Sequence, residues 1–302
     1  MDATTDRRAV AEPPATVRAL LLELTGRLAE SDAIQQPKNE ARELLAALLG
    51  VQRFWRDLNS DAAVEGEWRE RALAAAAKRV RGAPLAYCVG KAAFRHLTLE
   101  VDERVLIPRP ETEQLVDVAM SAAGTAAGGV AVDVGTGSGA IALALASEAR
   151  FDCVIATDVS LDALAVARRN AERLRRALRA TVDFRHGSLL TPLGDMRARL
   201  IVSNPPYIAN PEAAGLPASV RDWEPPIALL SGGDGLHATA RLVREAAERL
   251  LPGGALALET DSRRAGAVAD LAEADPRFTD VKVTKDLAGR ERFVVARRKE
   301  DG

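Results

Sequence analysis

The sequence has few of the residues that mark several large classes of protein. It contains two cysteines and three histidines in 302 residues, and none lies at a spacing typical of a metal site. We therefore expect no metal. Aromatic residues make up 4% of the chain and the formal net charge is −2, whereas nucleic-acid-binding proteins usually carry a basic surface. No direct nucleic-acid partner is therefore expected.

Long apolar runs are also absent. A helix that crosses a bilayer needs about 20 consecutive apolar residues, and the sequence has no such run. Residues 1–14 are polar and lack the apolar region of a signal peptide, so we interpret them as a disordered lead-in. These features predict a cytoplasmic protein without a membrane partner, and we expect a monomer.

Residues 15–82 are predicted to form a small N-terminal helical domain. Apolar residues recur at helical spacing within residues 17–29 and 40–49. A third stretch, residues 68–80, is rich in alanine and has a charged face. No β alternation precedes Pro84, so this part of the chain is expected to be a helical bundle.

Residues 83–110 are interpreted as a β-hairpin linker. Leu85–Val89 and Leu97–Val101 are short apolar segments on either side of Gly90, a pattern that favours two paired strands. Pro108-Arg109-Pro110 follows, and two prolines so close together are incompatible with the middle of a helix.

Residues 111–302 alternate between predicted strands and helices. This alternation is typical of an α/β, Rossmann-like domain with a mostly parallel sheet covered on both faces. The end of the chain differs, because Val281–Thr284 and Phe293–Ala296 predict an antiparallel hairpin at the sheet edge. The parallel strands are predicted at Val130–Val134, Cys153–Thr157, Val182–Phe184, Leu200–Val202 and Ala255–Glu259.

A glycine-rich loop follows the first of these strands. It is Gly135-Thr136-Gly137-Ser138-Gly139, and alternating glycines let the backbone turn sharply and approach a ligand closely. The free N–H groups at the start of the next helix favour polar or anionic ligand groups. Nicotinamide-binding loops space their glycines differently, as G-x-G-x-x-G. The spacing here resembles the first motif of class I methyltransferases, where the loop holds S-adenosylmethionine.

Asp158 ends the next predicted strand and is a candidate ligand for a ribose. A carboxylate at this position can accept hydrogen bonds from both ribose hydroxyls. Its alternative role, capping the following helix, is better served by Ser160. Ser188 and Leu189, after the third strand, are candidate adenine contacts, because in class I methyltransferases this position lies along the adenine. An acidic residue is frequent where Ser188 stands, so the sequence departs from that pattern.

The tetrapeptide Asn204-Pro205-Pro206-Tyr207 directly follows another predicted strand. Two prolines stiffen the turn and remove two backbone donors. The Asn204 side-chain oxygen and the Pro205 carbonyl can each accept one N–H of a planar NH₂ group, and Tyr207 offers a flat face to it. Catalysis by such a turn depends mostly on positioning and electrostatics. This motif predicts methylation of an amide or an aromatic amine.

Together these motifs resemble the HemK/PrmC family of peptide chain release factor glutamine methyltransferases. The resemblance covers residues 20–297. It is strongest in the segment from Leu106 to Glu113. The other matching segments are Pro84 to Tyr87 with Gly90, Trp223 to Pro225 before Ala228 and Leu229, Gly232 to Leu236, and Gly289 to Arg292. Family members often carry an arginine after Glu-Pro, whereas this chain has Pro226.

The family methylates the glutamine amide in the Gly-Gly-Gln motif of class I release factors. The resemblance therefore implies S-adenosylmethionine as cofactor, a release factor as partner, and the helical domain as the docking surface. It implies Asn204, Pro205 and Tyr207 as catalytic residues. Asn204, Pro205, Pro206 and Tyr207 would form the glutamine pocket, and Gly135, Thr136, Gly137, Ser138, Gly139, Asp158, Ser188, Leu189 and Asn204 the cofactor site.

Several alternatives remain open. Arg109, Glu111 and Thr112 either shape the cofactor entrance or form salt bridges that brace the two domains. A ribosomal-protein glutamine methyltransferase would share the same catalytic turn. A DNA or RNA adenine methyltransferase would need a basic, aromatic-rich recognition region, which this composition disfavours. A non-enzymatic scaffold that binds S-adenosylmethionine would be expected to have lost the Asn204–Tyr207 turn.

Overall fold

A computed structural model describes residues 16–52 and 59–300. The lead-in predicted at residues 1–14 lies outside the described residues. The chain divides into two compact units, one ending at Val89 and the other beginning at Gly90. In the described ranges, no helix is long and apolar enough to cross a membrane.

The first unit is helical, and its three predicted helices are confirmed. Thr16 caps the first helix, since its hydroxyl accepts a hydrogen bond from the Ala19 N–H at 3.2 Å. Pro37 begins the second helix, where its missing N–H costs nothing. Leucines spaced three and four residues apart form the buried face of each of these helices. The described helices are α1 (Val17–Leu28), α2 (Pro37–Leu49), α3 (Gly66–Val80) and α4 (Leu85–Val89).

Leu85–Val89 is helical, and the prediction of a strand there was wrong. The Pro84 carbonyl accepts hydrogen bonds from the N–H groups of Tyr87 and Cys88, which closes a helical turn. A five-residue apolar segment suits a strand or a buried helical turn equally well, so periodicity cannot separate them. The hairpin itself consists of β1 (Lys91–Phe94) and β2 (Leu97–Glu100), which pair in antiparallel fashion.

The hairpin is part of the second unit. The Asn170 side chain accepts a hydrogen bond from the Glu100 N–H at 2.7 Å and donates one to the Glu100 carbonyl at 3.0 Å. Asn170 also donates to the Ser138 carbonyl at 2.9 Å. One buried amide therefore ties the hairpin to the backbone of the glycine-rich loop.

The second unit contains a seven-stranded sheet in the order β5-β4-β3-β6-β7-β9-β8. The five strands from β5 to β7 are parallel, and the last two form an antiparallel hairpin at the edge. This confirms the predicted fold class, that of the class I methyltransferases. The strands are β3 (Val130–Val134), β4 (Cys153–Asp158), β5 (Thr181–His186), β6 (Ala198–Ser203), β7 (Leu250–Glu259), β8 (Phe278–Lys285) and β9 (Glu291–Arg298).

Helices cover both faces of this sheet. Successive strand residues point to opposite faces, so Ala131 packs in one apolar cluster and Val132 in the other. The first cluster also contains residues of α5 (Pro110–Ala123) and α6 (Ala140–Glu148), and partly buried residues of α7 (Leu161–Leu174) pack against it. The second contains residues of α9 (His237–Arg249) and α10 (Ala265–Glu273). A short helix, α8 (Ala218–Arg221), lies in the connection between β6 and α9.

The carboxyl ends of the central strands meet along one edge of the sheet. Val134, at the end of β3, is level with Thr157 on β4 and with Ser203 on β6. The segments that follow these strands are therefore neighbours in space. This edge is where open α/β sheets bind their ligands.

Candidate functional site

A cavity of about 380 Å³ opens at this edge of the sheet. Its volume lies in the range of small-molecule sites. Segments distant in sequence line it, because each follows a different strand. The predicted site residues among its walls are Gly135, Gly137, Asp158, Ser188, Leu189, Asn204, Pro205 and Pro206.

The glycine-rich loop is held against the neighbouring strand. The N–H groups of Gly135 and Thr136 both donate to the Thr157 carbonyl, at 2.9 and 3.0 Å. Gly139 is the N-cap of α6 with a φ of +85°, and a side chain there would lie 3.3 Å from the Ala167 Cβ. The side chains of Thr136 and Ser138 are buried behind the cavity wall, so the loop presents mainly backbone to a ligand.

Asp133 braces this loop from beneath. Its carboxyl accepts hydrogen bonds from the Thr136 hydroxyl at 2.7 Å and from the Ala142 N–H at 3.1 Å. The side chain is fully buried, and burial raises its pKa to about 7. The two hydrogen bonds oppose this increase, because they stabilise the charged form.

Asp158 also holds the glycine-rich loop. One carboxyl oxygen accepts from the Gly137 N–H and the other from the Ser160 N–H, both at 2.9 Å. Burial raises the pKa of Asp158 despite these bonds. The Ser160 hydroxyl accepts from the Ala163 N–H at 3.1 Å, so Ser160 caps α7, as predicted. Asp158 is thus left facing the cavity.

Ser188 and Leu189 lie in the cavity wall after β5. The Ser188 hydroxyl accepts a hydrogen bond from Arg241 at 3.2 Å, and Arg241 also pairs with Glu245. Leu189 has a φ of +49° and its carbonyl accepts from the Thr157 hydroxyl at 2.9 Å. Arg241, which sequence analysis did not single out, therefore places a cation beside Ser188.

Asn204 stands between two cavities. It lines the larger cavity and also a second one of about 110 Å³. Tyr207 and Arg109 line the smaller cavity as well. Burial raises the pKa of Tyr207 to about 12, with the nearby Glu259 carboxylate adding to the effect. Tyr207 is therefore a neutral phenol at physiological pH.

The Asn204 side chain is oriented by Thr112. Its Nδ2 donates to the Thr112 hydroxyl at 3.0 Å. Thr112 is also a neighbour of Glu259, a buried carboxyl at the end of β7, and its hydroxyl lowers the pKa of that carboxyl. Burial raises the pKa of Glu259 to about 7. Sequence analysis missed Glu259, although its position at the end of the strand beside β6 was a usable signal.

Arg109 and Glu111 pair with residues of the same unit. Arg109 forms an ion pair with Glu224, which is almost fully buried. Burial raises the pKa of Glu224, and the charge of Arg109 opposes it. Glu111 pairs with Arg290 at 3.0 Å. These contacts join α5 and the residue before it to the loop after β6 and to the edge hairpin.

The loop after Tyr207 is anchored by a buried arginine. Arg264 donates to the Asp234 carbonyl at 2.8 Å and forms ion pairs with Glu212 and Asp261. Gly235 makes room for this arrangement, since a side chain there would lie 2.3 Å from the Tyr207 carbonyl oxygen.

Across residues 16–52 and 59–300, no three or more His, Cys, Asp or Glu side chains cluster as a metal site would require.

Two family models match the chain. The methyltransferase small domain matches residues 112–216, and the PrmC N-terminal domain matches residues 19–90. The first of these covers the glycine-rich loop, Asp158 and the Asn204–Tyr207 turn. The second covers most of the helical unit.

Curated relatives match over most of the chain. A release factor glutamine methyltransferase from Rhodopirellula baltica is 39% identical over 91% of this chain and 94% of its own length. One from Moorella thermoacetica is 40% identical over 95% of this chain and 100% of its own. Among solved structures, a methyltransferase from Pyrococcus furiosus is 21% identical with a TM-score of 0.51, over 78% of this chain and all of its own. That likeness concerns the fold.

Proposed function

The chain belongs to the family of release factor glutamine methyltransferases, and we propose that it methylates the glutamine amide of the Gly-Gly-Gln motif in class I release factors. The methyl donor is S-adenosylmethionine. The observation that carries the proposal is the position of Asn204, which lines both the larger and the smaller cavity. The Asn204 amide can therefore hold a glutamine in the smaller cavity next to the methyl group of S-adenosylmethionine in the larger cavity.

The larger cavity suits S-adenosylmethionine. When bound, this cofactor supplies an electrophilic methyl group on a sulfonium. Asp158 accepts backbone N–H groups from Gly137 and Ser160, with a further contact from Val159. A carboxylate has about four lone-pair sites, so acceptor capacity remains for the ribose. Leu189 and Val159 provide apolar walls. Since Arg241 donates to the Ser188 hydroxyl, the Ser188 proton is free for a ring nitrogen of adenine.

The smaller cavity suits a planar primary amide. The Asn204 oxygen and the Pro205 carbonyl accept the two N–H groups of the glutamine, and Tyr207 packs beside it as a neutral phenol. These contacts hold the amide nitrogen toward the larger cavity and favour charge that develops as the nitrogen is alkylated. Holding both reactants in line converts the reaction into an effectively intramolecular one.

The helical unit is proposed to dock the release factor. A Gly-Gly-Gln loop is short and contributes little contact area, so specific affinity requires a second contact. The family model of the N-terminal domain matches this unit. We expect a monomeric enzyme that acts in the cytoplasm and makes no direct contact with nucleic acid.

The test is a methylation assay with defined substrates. The purified protein is incubated with labelled S-adenosylmethionine and an intact class I release factor, and the labelled peptide is mapped by mass spectrometry. We expect one methyl group on the glutamine of Gly-Gly-Gln and none on a factor in which that glutamine is replaced by alanine. Label on a ribosomal protein or on nucleic acid, with none on the release factor, would contradict the proposal.

A further inference from the structure

The side-chain amide of Asn204 has a defined direction. Its nitrogen donates to the Thr112 hydroxyl at 3.0 Å, and Thr112 is almost completely buried. An amide carries donors on nitrogen and acceptors on oxygen. With the nitrogen engaged by Thr112, the oxygen is the polar atom available to a target amide.

The Thr112 hydroxyl links Asn204 to a buried carboxyl. A hydroxyl has one proton to donate, and Thr112 uses its oxygen to accept from Asn204. Its proton is therefore available to Glu259, a neighbouring carboxyl whose pKa the Thr112 hydroxyl lowers. Glu259 is 1% exposed, and its Oε2 has no partner among the described residues. Asn204, Thr112 and Glu259 are therefore successive neighbours, and a hydrogen bond of 3.0 Å joins the first two.

The charge of Glu259 sets the direction of hydrogen bonding among these three side chains. An ionised carboxylate can only accept hydrogen bonds, so Thr112 must donate to it and must accept from Asn204. A neutral group in place of the carboxylate could instead donate to Thr112. The Thr112 proton could then point to the Asn204 oxygen and occupy the atom that the target needs. Successive bonds of this kind also polarise one another, which makes the Asn204 oxygen a better acceptor.

We propose that Thr112 and Glu259 are positioning residues that hold Asn204 with its oxygen toward the glutamine amide. This inference rests on the proposed function. It assigns to Thr112 a role different from shaping the cofactor entrance or bracing two domains. It also gives a reason for burying a carboxyl at the end of β7, where desolvation opposes its charge.

The first test compares three variants at Thr112 and at a matched position. Thr112→Val keeps the shape and removes the hydroxyl, and Thr112→Ser restores it. We expect Thr112→Val to lower kcat about tenfold to a hundredfold, with unchanged affinity for S-adenosylmethionine by calorimetry and little change in KM for the release factor. Thr112→Ser should recover most of the rate. Thr239→Val removes another buried hydroxyl, on α9, and should leave kcat unchanged.

The second test uses the charge of Glu259. Burial raises its pKa to about 7, and Arg292, Glu111, Arg109 and Tyr207 are the charged or titratable groups that face it. Because the ionised form directs the hydrogen bonding, kcat of the wild type should rise as pH increases through about 7. Glu259→Gln should have a lower kcat above that pH and should lack this rise. If Glu259 had a purely structural role, Glu259→Gln would lower the stability of the protein and would still show the rise of kcat with pH.

The outcomes separate this inference from the proposed function. If Thr112→Val methylates the release factor at a rate within twofold of wild type, the positioning role is refuted and the proposed function stands. If Thr112→Val fails to fold, the pH profile of Glu259→Gln decides, and an unchanged rise of kcat with pH refutes the role. If the wild type binds S-adenosylmethionine and leaves the release factor unmodified, the proposed function itself fails.

Discussion

The two units of this chain place their polar side chains in opposite ways. Every buried polar or charged side chain found in the described part of the chain belongs to the second unit, from Thr112 to Asp286. The apolar cluster of the described helical unit consists of leucine, alanine, valine and isoleucine, and Tyr87 is also buried there. Burying a polar group is unfavourable unless it is hydrogen-bonded. The second unit buries such groups, several of them beside its cavities, whereas the described cluster of the first unit contains none.

This difference agrees with the proposed division of function, in which the second unit carries the reaction. Asp133, Asp158, Glu224 and Glu259 all have a pKa raised by burial, and such groups cluster at functional sites. Asp158 and Glu259 end β4 and β7, Asp133 is the next-to-last residue of β3, and Glu224 lies in the loop after β6. This distribution agrees with the proposal that the second unit carries out the reaction and the helical unit docks the partner.

The division predicts that removing the helical unit impairs substrate use and spares cofactor binding. A chain that starts at Gly90 should bind S-adenosylmethionine with nearly normal affinity by calorimetry. Its kcat/KM for an intact release factor should fall by about 10²–10⁴, the range lost when one of two linked contacts is removed. A short Gly-Gly-Gln peptide, which has no second contact to lose, should be an equally poor substrate for both forms. Equal rates on the intact factor would refute the docking role.

Replacing Asn204 should lower the rate of the chemical step and leave the affinity for both substrates nearly unchanged. Asn204→Ala removes the acceptor for the target amide, and the loss of one oriented group of this kind lowers kcat by about 10²–10³. The affinity for S-adenosylmethionine and for the release factor should change little, which calorimetry and KM can check. Turnover close to that of the wild type would mean that Asn204 only braces the turn.

A matched pair of glycine substitutions tests how tightly the loop around the site is packed. In Gly235→Ala the new Cβ meets the Tyr207 carbonyl at 2.3 Å and Arg264 Nε at 2.5 Å, at a φ of +80°. We expect it to destabilise the second unit by about 2–4 kcal/mol. Gly266→Ala lies in α10 with no atom within 4 Å and should stabilise by up to about 1 kcal/mol. Thermal unfolding of both variants measures the difference, and equal melting temperatures would contradict it.

The smallest expected effect concerns Asp158. Asp158→Ala loses the proposed ribose contacts and also the brace to the Gly137 N–H. It should weaken binding of S-adenosylmethionine at least about tenfold, given about 1.5–3 kcal/mol for each hydrogen bond to a charged group. Asp158→Asn retains an acceptor for one backbone N–H, so its affinity for S-adenosylmethionine should lie between those of the wild type and the alanine variant. Unchanged affinity of the alanine variant by calorimetry would remove Asp158 from the site.

Much of the fold was predictable from local patterns. Helical spacing of leucines identified α1 and α2, and alternation of strands and helices identified the parallel sheet. Two consecutive strand segments near the end of the chain identified the edge hairpin. The assignment failed at Leu85–Val89, where five apolar residues form a helical turn after Pro84. Segments of that length have no periodicity long enough to distinguish the two structures.

Predicted site residues at or after the carboxyl ends of β3, β4, β5 and β6 line common cavities. Asp158 and Asn204 could be placed at one edge because the carboxyl ends of parallel strands meet there. The partners of these residues were not predictable in the same way. Arg241 beside Ser188, and Glu259 behind Thr112, come from segments more than 50 residues away in sequence, and no motif connects them.

The sequence by itself therefore determined the class of the second unit, the strand ends that carry the chemistry, and the family of the chain. These follow from patterns of a few residues, because a glycine-rich turn or a pair of prolines restricts the backbone locally. Only the tertiary structure decided which way the Asn204 amide points and which carboxyls are buried. Hydrogen-bond direction and desolvation depend on neighbours contributed by other strands and helices, and the linear order of residues does not specify those neighbours.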